Sequence, residues 1–327
     1  VTQPAPSAST APSASTDPSA STDPPTASPE ATAPASQAPA DAPPATTAPT
    51  SQAPSGTAPA SPIRRVALEV VARRLTVLRV EPLGRSMRRV ALGGPELAGF
   101  RCEGPTDHAK AFFPPTPDDD VPMPELVDGR WVAREGERPV SRDYTIRTFD
   151  PAAGEVVLDM AVHDHGPAGR WAAAARPGSR LGLLGPKTTK LPPTDRDWYL
   201  FAVDETGLPG LANWFDRLPS TARVLAFAEV DGPEDEVPLA GAHEVTWLHR
   251  GTAERGTTTL LADAVARAGL PGPTGRGWVW AAAEATAVRG VRRHVTALGV
   301  DRSCSSMTGY WRVGVAGFDH KSPEATD

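Results

Sequence analysis

The chain has 327 residues, a formal net charge of −6, 37 prolines and two cysteines. Asp17, Asp23, Glu30 and Asp41 account for four of those negative charges, so the sequence beyond residue 60 carries only −2 and has no general electrostatic footprint for nucleic acid. Cys102 and Cys304 are too few for a dense disulfide framework or a cysteine metal cage, and they read as small buried hydrophobes.

Residues 1 to 60 contain fourteen prolines among Ala, Ser and Thr, with no aromatic residue, lysine, arginine, leucine or isoleucine. Such a segment has little apolar surface to offset its ordering entropy, so residues 1–61 are expected to form a disordered extension. It lacks the basic start and apolar stretch of a secretory signal. No later run approaches the roughly 20 apolar residues that span a bilayer. The expected location is therefore the cytoplasm, with no integral membrane segment.

About 265 residues follow from Pro62, enough for two domains of ordinary size. Leu75 to Val80 and Met87 to Leu92 are short β-prone runs bounded by Pro82, Gly84 and Gly93-Gly94. Further candidate strands are Ala109 to Phe113, Val140 to Thr148, Glu155 to Val162 and Arg180 to Leu184. Many short strands with almost no helical periodicity favour an antiparallel barrel, here of six strands. The stretch from Pro114 to Pro124 is then an insertion at its surface.

The rhythm changes between residues 186 and 196. Trp198 to Val203 is continuously apolar, as in a strand covered on both faces. Leu208 to Leu218 predicts a helix, Ala222 to Val230 a strand, His243 to His249 a strand, Leu260 to Ala268 a helix and Gly277 to Ala283 a strand. Val288, Val291, Val295 and Leu298 then share one helical face. This alternation predicts a parallel-sheet α/β domain over 193–318 after a barrel over 62–192, with a tail at 319–327.

Arg142-Asp143-Tyr144-Thr145-Ile146-Arg147 is the first chemical constellation. On a strand, Arg142 and Tyr144 share one face and Asp143 and Thr145 the other, unless a bulge intervenes. A planar ring beside a guanidinium suits a flat cofactor with a phosphate tail, and equally an ordinary barrel surface. His163-Asp164-His165-Gly166-Pro167-Ala168-Gly169-Arg170-Trp171 follows a strand and opens an alanine-rich helix, whose first-turn amides could receive a phosphate. Its histidines lie two apart without partner ligands, so no metal site is expected. Asp204-Glu205-Thr206-Gly207-Leu208-Pro209 lies just beyond an apolar strand, where open parallel sheets collect ligands, but without the Gly-x-Gly-x-x-Gly fingerprint.

Taken in order, these segments resemble the siderophore-interacting family of FAD-binding reductases, a branch of the ferredoxin-reductase-like superfamily. Arg142, Tyr144, Thr145 and Arg147 match its Arg-x-Tyr-Thr-x-Arg motif. The resemblance assigns Arg142 to the FAD phosphates, Tyr144 to the isoalloxazine and Thr145 to its N5/O4 edge. His163, Gly166, Pro167, Ala168, Gly169 and Trp171 follow the family's His-Gly…Gly-Pro-Ala-Ser-x-Trp-Ala run, and Asp204, Glu205 and Thr206 its Gly-Asp-Glu-Thr-Ala-Leu-Pro run. Glu284 keeps the acid of an Ala-Gly-Glu sequence, and Tyr310, Trp311 and Arg312 match a Gly-Tyr-Trp-Arg-x-Gly ending. Thr206 is the expected nicotinamide contact, Arg250 a candidate for a phosphate on the adenosine ribose, and the Tyr310/Trp311 pair a cover for the flavin opposite Tyr144.

The chain departs from the family at Asp164 and Val203 (both usually Gly), Gly169 (usually Ser), Gly207 (usually Ala) and Ala283 (usually Gly). The activity implied is reduction of a ferric siderophore by NADPH or NADH through FAD, releasing ferrous iron. No side chain need act as nucleophile or general base, because the flavin carries the electrons. Lys110, Lys187 and Lys190, three of only four lysines, are candidates for attracting an anionic chelate. The alternatives are a flavin reductase with another small acceptor and a non-catalytic ferric-siderophore carrier. A monomer is expected.

Overall fold

The computed structural model describes residues 61–137, 139–164, 166–241, 243–319 and 321. The expected disordered extension, apart from Ser61, lies outside the described residues, as does most of the expected tail.

The antiparallel part begins with β1 (Arg64–Ala67), β2 (Ala72–Leu83), β3 (Met87–Gly93) and β4 (His108–Phe113). It continues with β5 (Glu125–Val127), β6 (Arg130–Val132), β7 (Val140–Asp150), β8 (Glu155–Ala161), a short helix α1 (Pro167–Ala174), β9 (Arg180–Leu184) and β10 (Thr188–Leu191). Six of these strands close a barrel in the order β2-β3-β8-β7-β4-β9. They are the six β-prone runs expected from the sequence. The period of two explains why they fold so: Leu75 and Val77 point inward from β2 while Arg74 and Thr76 point out. Val90, Leu92, Ile146, Leu158, Leu181 and Leu183 complete the interior.

Three features were not anticipated. β1 pairs with β10 beside the barrel. The Pro-rich insertion leads into the small β5-β6 hairpin, and it is anchored by Val121 and Met123 against Phe112. Gly182 permits this anchorage, since a Cβ there would lie 2.1 Å from Met123 Sδ.

The chain then builds β11 (Trp198–Asp204), α2 (Leu208–Phe215), β12 (Arg223–Val230), β13 (Thr246–His249), α3 (Leu260–Ala268), β14 (Gly277–Glu284), α4 (Ala285–Ala297) and β15 (Ser305–Trp311). All five strands are parallel, in the order β13-β12-β11-β14-β15. Every residue of β11 is buried, as its unbroken apolar run required. Tyr199, Phe201 and Val203 face the cluster containing α2, whereas Trp198, Leu200 and Ala202 face the one containing α3 and α4. Among the described residues no α-helix forms between β12 and β13, where a 3-10 turn lies at Pro233–Asp235. Leu298, assigned to the apolar helical face, instead caps α4 and is 43% exposed.

The barrel and the sheet meet through α2, all of whose residues are buried. The β7/β8 register shifts between Ile146 and Thr148, leaving Arg147 as an extra residue on β7. That bulge aims its guanidinium at α2, where it donates to Asn213 Oδ1 at 3.0 Å and pairs with Asp216 at 2.9 Å. The buried Asn213 amide donates to the Pro105 carbonyl at 3.0 Å and the Ile146 carbonyl at 2.8 Å. Asp235 adds a second tie by accepting the Arg85 and Ser86 amides of the β2-β3 turn at 3.0 and 2.8 Å.

Asn213→Ala leaves two buried carbonyls without their donor, and its expected cost is about 1–3 kcal/mol. Urea denaturation monitored by tryptophan fluorescence measures it; a loss under about 0.5 kcal/mol, the range of a neutral surface change, would deny this amide a role in docking.

Candidate functional site

On the barrel side, the register sets Tyr144 opposite Ala109 and Arg142 opposite Ala111, with Asp143 opposite Lys110. The Arg142/Tyr144 and Asp143/Thr145 faces are therefore separated as the alternation predicted. Tyr144 packs edge-on to Phe113, ring centroids 6.1 Å apart, and burial raises its phenol pKa. Arg142 donates to the Ser141 carbonyl at 2.7 Å, and among the described residues no acidic side chain forms an ion pair with it.

At the start of α1, Gly166 adopts φ 85° with open space around it, and Pro167 occupies the first turn. Among the described residues no side chain caps this end, and no acid lies in its first turn. Backbone amides with the helix dipole behind them suit a phosphate there. Together with the half-buried Tyr144 ring and Arg142, these residues fit the phosphate tail and flat ring of FAD. His163 packs directly on Gly169: a Cβ at 169 would meet the His163 carbonyl at 2.3 Å and its Nδ1 at 2.6 Å. The serine that the family usually carries is thus excluded by the position of His163.

Two residues expected at the cofactor have other work. Trp171 is 3% exposed and packs edge-on to Phe113 at 5.7 Å, inside the barrel core. It sits on the inward face of the helix whose N-terminus is open, so one motif serves both packing and the helix end. Arg147 is committed to α2 by the β7 bulge.

On the sheet side, the strand order reverses between β11 and β14, which places their carboxyl ends beside a crevice. Asp204, Glu205, Glu229, Arg250, Glu284 and Trp311 line it. Asp204 Oδ1 accepts the Thr206 amide at 2.9 Å and hydroxyl at 2.6 Å, while Oδ2 accepts the Glu284 amide at 2.9 Å and the Trp311 indole at 2.7 Å. Glu284 caps α4 by accepting the Thr286 and Ala287 amides. Thr206, which donates its hydroxyl to Asp204, retains acceptor capacity.

Arg250 is not an open phosphate grip. Its side chain is 1% exposed and is paired with Glu205, with Asp231 at 2.7 Å and with Glu229 at 3.4 Å. Burial and the neighbouring Arg255 lower its pKa to about 10, which leaves it cationic at neutral pH. Glu229, Asp231 and Arg255 escaped the sequence reading. The rule that ligands gather at the carboxyl ends of parallel strands would have found the first two, since Ala222 to Val230 was recognised as a strand.

Tyr310 and Trp311 make different contacts: the β14/β15 register shifts between Ala283 and Glu284, leaving Tyr310 as an extra residue on β15. Trp311 turns to Asp204 and lies against Gly256, where a Cβ would approach its ring to 2.8 Å. Tyr310 turns to the barrel: burial pushes its hydroxyl up to about 12, partly offset by a hydrogen bond to Thr145. Thr145 and Thr206 are thereby brought to one junction, through Tyr310 and Trp311 on consecutive positions of β15. Arg312 bridges to Val315 in the closing turn, and a Cβ on Gly317 beyond it would lie 3.6 Å from Arg142 Nη1.

Of the candidate substrate lysines, Lys110 pairs with Asp143 at 3.0 Å and stands opposite Leu184, the last residue of β9. Lys187 is exposed just beyond that strand, and Lys190 lies on β10. Burial, then Arg65 and Lys321, lower the Lys190 pKa. The fold therefore gathers the three on neighbouring stretches of backbone, although Lys110 already holds a partner.

The departures at 203 and 207 explain each other. Val203 fills space that a Cβ on Gly207 would need, at 2.8 Å from the Val203 Cβ and 2.3 Å from the Ala282 carbonyl. The family's Gly and Ala have become Val and Gly, a small-large exchange that preserves the approach of α2 to the sheet.

Residues 76–190 match the family model described as siderophore-interacting FAD-binding domain, and residues 196–314 the one described as siderophore-interacting protein. The chain is 32% identical over 253 residues to the NADPH-dependent ferric-chelate reductase of Escherichia coli (strain K12), a match covering 76% of this chain and 96% of that protein. The crystal structure of a siderophore utilization protein from T. fusca superposes with TM-score 0.74 at 39% identity, covering 80% of this chain and 100% of that one. For the siderophore-interacting protein SipS of Aeromonas hydrophila the TM-score is 0.62 at 29% identity, over 75% of this chain and 93% of that one.

Gly207→Ala is expected to destabilise the protein by roughly 1–3 kcal/mol through overpacking, although alanine is the better helix former. Adding Val203→Gly should recover part of that loss, and a double-mutant cycle by chemical denaturation reads the coupling. Purely additive effects would show that the two positions vary independently.

Proposed function

The chain belongs to the siderophore-interacting protein family of FAD-binding reductases, and from that premise we propose that it reduces a ferric siderophore with NAD(P)H through bound FAD, releasing ferrous iron. The observation that carries this reading is the junction at β15, where Tyr310 meets Thr145 of the barrel motif while Trp311 is held by Asp204 of the sheet crevice. A nicotinamide donor at the crevice and a flavin at the barrel would meet there. The name of the Escherichia coli relative, an NADPH-dependent ferric-chelate reductase, supports the same chemistry.

FAD, when bound, accepts a hydride and gives up electrons singly, which links a two-electron donor to one-electron ferric reduction. The chain's own residues then bind and orient. Arg142 and the amides after Gly166 hold phosphate, and Tyr144 offers an apolar ring for the flat portion. Thr145 supplies a hydroxyl at the ring edge, with its orientation fixed by Tyr310. Asp204 orients Thr206, which would contact the nicotinamide, and Glu284 fixes the start of α4. Lys187 and Lys190, with Lys110, draw an anionic chelate to the mouth. Ferrous iron is less strongly held by hard oxygen chelators than ferric iron, so reduction loosens the metal for release.

Anaerobic NADPH or NADH added to FAD-loaded protein should bleach the flavin absorbance, and a ferric siderophore should restore it. Bleaching that no ferric chelate reverses would rule out the acceptor; absence of bleaching with both donors would remove the reductase reading. Replacing Lys110, Lys187 and Lys190 together by glutamine should raise KM for an anionic chelate several-fold at unchanged flavin content, and an unaltered KM would take the lysines out of the site. Because the Lys190 pKa is lowered, chelate capture in the unsubstituted protein should weaken with rising pH before the ordinary lysine range is reached. A pH profile of KM flat up to that range would exclude Lys190 from capture.

A further inference from the structure

The sheet order fixes which end of a dinucleotide meets which strand. β15 meets the barrel motif through Tyr310 and Thr145, so the nicotinamide end belongs beside β15 and β14. From β15 to β12 there are three strand spacings of about 4.8 Å, roughly 14 Å in all. An extended dinucleotide crossing the switch point therefore brings its adenosine ribose to the carboxyl end of β12. In parallel dinucleotide-binding sheets, a carboxylate there accepts the ribose 2′-hydroxyl, whereas a free arginine accommodates a 2′-phosphate.

The carboxyl end of β12 carries Glu229 and, just beyond it, Asp231. Glu229 is buried, while the Asp231 side chain is 38% exposed. The nearby guanidiniums are already engaged. Arg250 is enclosed by Glu205, Glu229 and Asp231, and Arg255 bridges Asp231 at 2.9 Å and Glu205 at 3.6 Å. With Asp204 included, four carboxylates surround two guanidiniums. A 2′-phosphate would add further negative charge to a cluster whose acids already outnumber its bases, and would have to take Arg255 from its partners. A ribose hydroxyl needs only one lone pair of Asp231.

We infer that Asp231, backed by the Glu229/Arg250 cage, makes this chain prefer NADH to NADPH. The inference rests on the proposed dinucleotide site and deepens it: Asp231 is a specificity-determining residue, and the carboxylate cage is what withholds Arg250 and Arg255 from phosphate.

The test is equilibrium binding to the full-length, FAD-loaded protein, by titration calorimetry with NAD+ and with NADP+ at fixed ionic strength. NAD+ should bind at least about tenfold more tightly, a difference of about 1.4 kcal/mol. Asp231→Asn should shrink or reverse that ratio by weakening NAD+ and releasing Arg255 to phosphate. Arg255→Ala, at a partly exposed position outside the regular elements, should move the ratio the other way by weakening NADP+ further. Tighter binding of NADP+ by the unsubstituted protein, or a ratio that neither substitution changes, would overturn the inference while leaving the dinucleotide site in place. Binding of neither nucleotide, together with no bleaching by either reduced form, would overturn the site and the inference with it.

Discussion

The carboxylate of Asp204 is the constraint on which the arrangement of the cleft depends. It is 5% exposed and accepts four hydrogen bonds, two from Thr206 and one each from Glu284 and Trp311. A buried charge without such partners would be untenable, and hydrogen bonds to a charged group contribute about 1.5–3 kcal/mol each. These bonds join the carboxyl ends of β11, β14 and β15. They hold Trp311 against the sheet, while Tyr310, the extra residue of a bulge in β15, meets the barrel. The contact of Tyr310 with Thr145 thus falls one residue before the one that Asp204 holds.

Much of this architecture was legible in the amino-acid order because burial leaves a periodic trace. The two-residue alternation of Leu75 and Val77 marked a strand with one dry face, and the unbroken run from Trp198 to Val203 marked one with two. What depended on contacts between distant segments left no local trace. Arg147 reads as part of a cofactor motif until the β7 bulge aims it at α2, and Asn213 carries no signal of its own within an apolar helix. Arg250 has the right type and place for a phosphate ligand, yet its partners lie 19 to 45 residues away in the sequence. The crossover between β12 and β13, for which the sequence offered no helical period, is a segment rich in Pro, Gly and acids.

Two departures from the family pattern are paired in space. Val203 and Gly207 exchange bulk between contacting positions, whereas Gly169 lies against His163, a residue the family pattern shares. A hydroxyl is absent beside α1, but the backbone amides of that turn remain. An exchange such as that at 203 and 207 is how a close-packed interior tolerates change.

The placement of α2 has a mechanical consequence. One end of this helix follows the Asp204 loop, and the other is bolted to β7 through Asn213 and Arg147. Swinging barrel and sheet apart would strip a buried amide of both its acceptors and leave a guanidinium without its carboxylate. Any breathing that admits a bulky chelate must therefore be sought in loops and chain ends rather than in a jaw-like motion, and the redox partners would keep their spacing through the catalytic cycle.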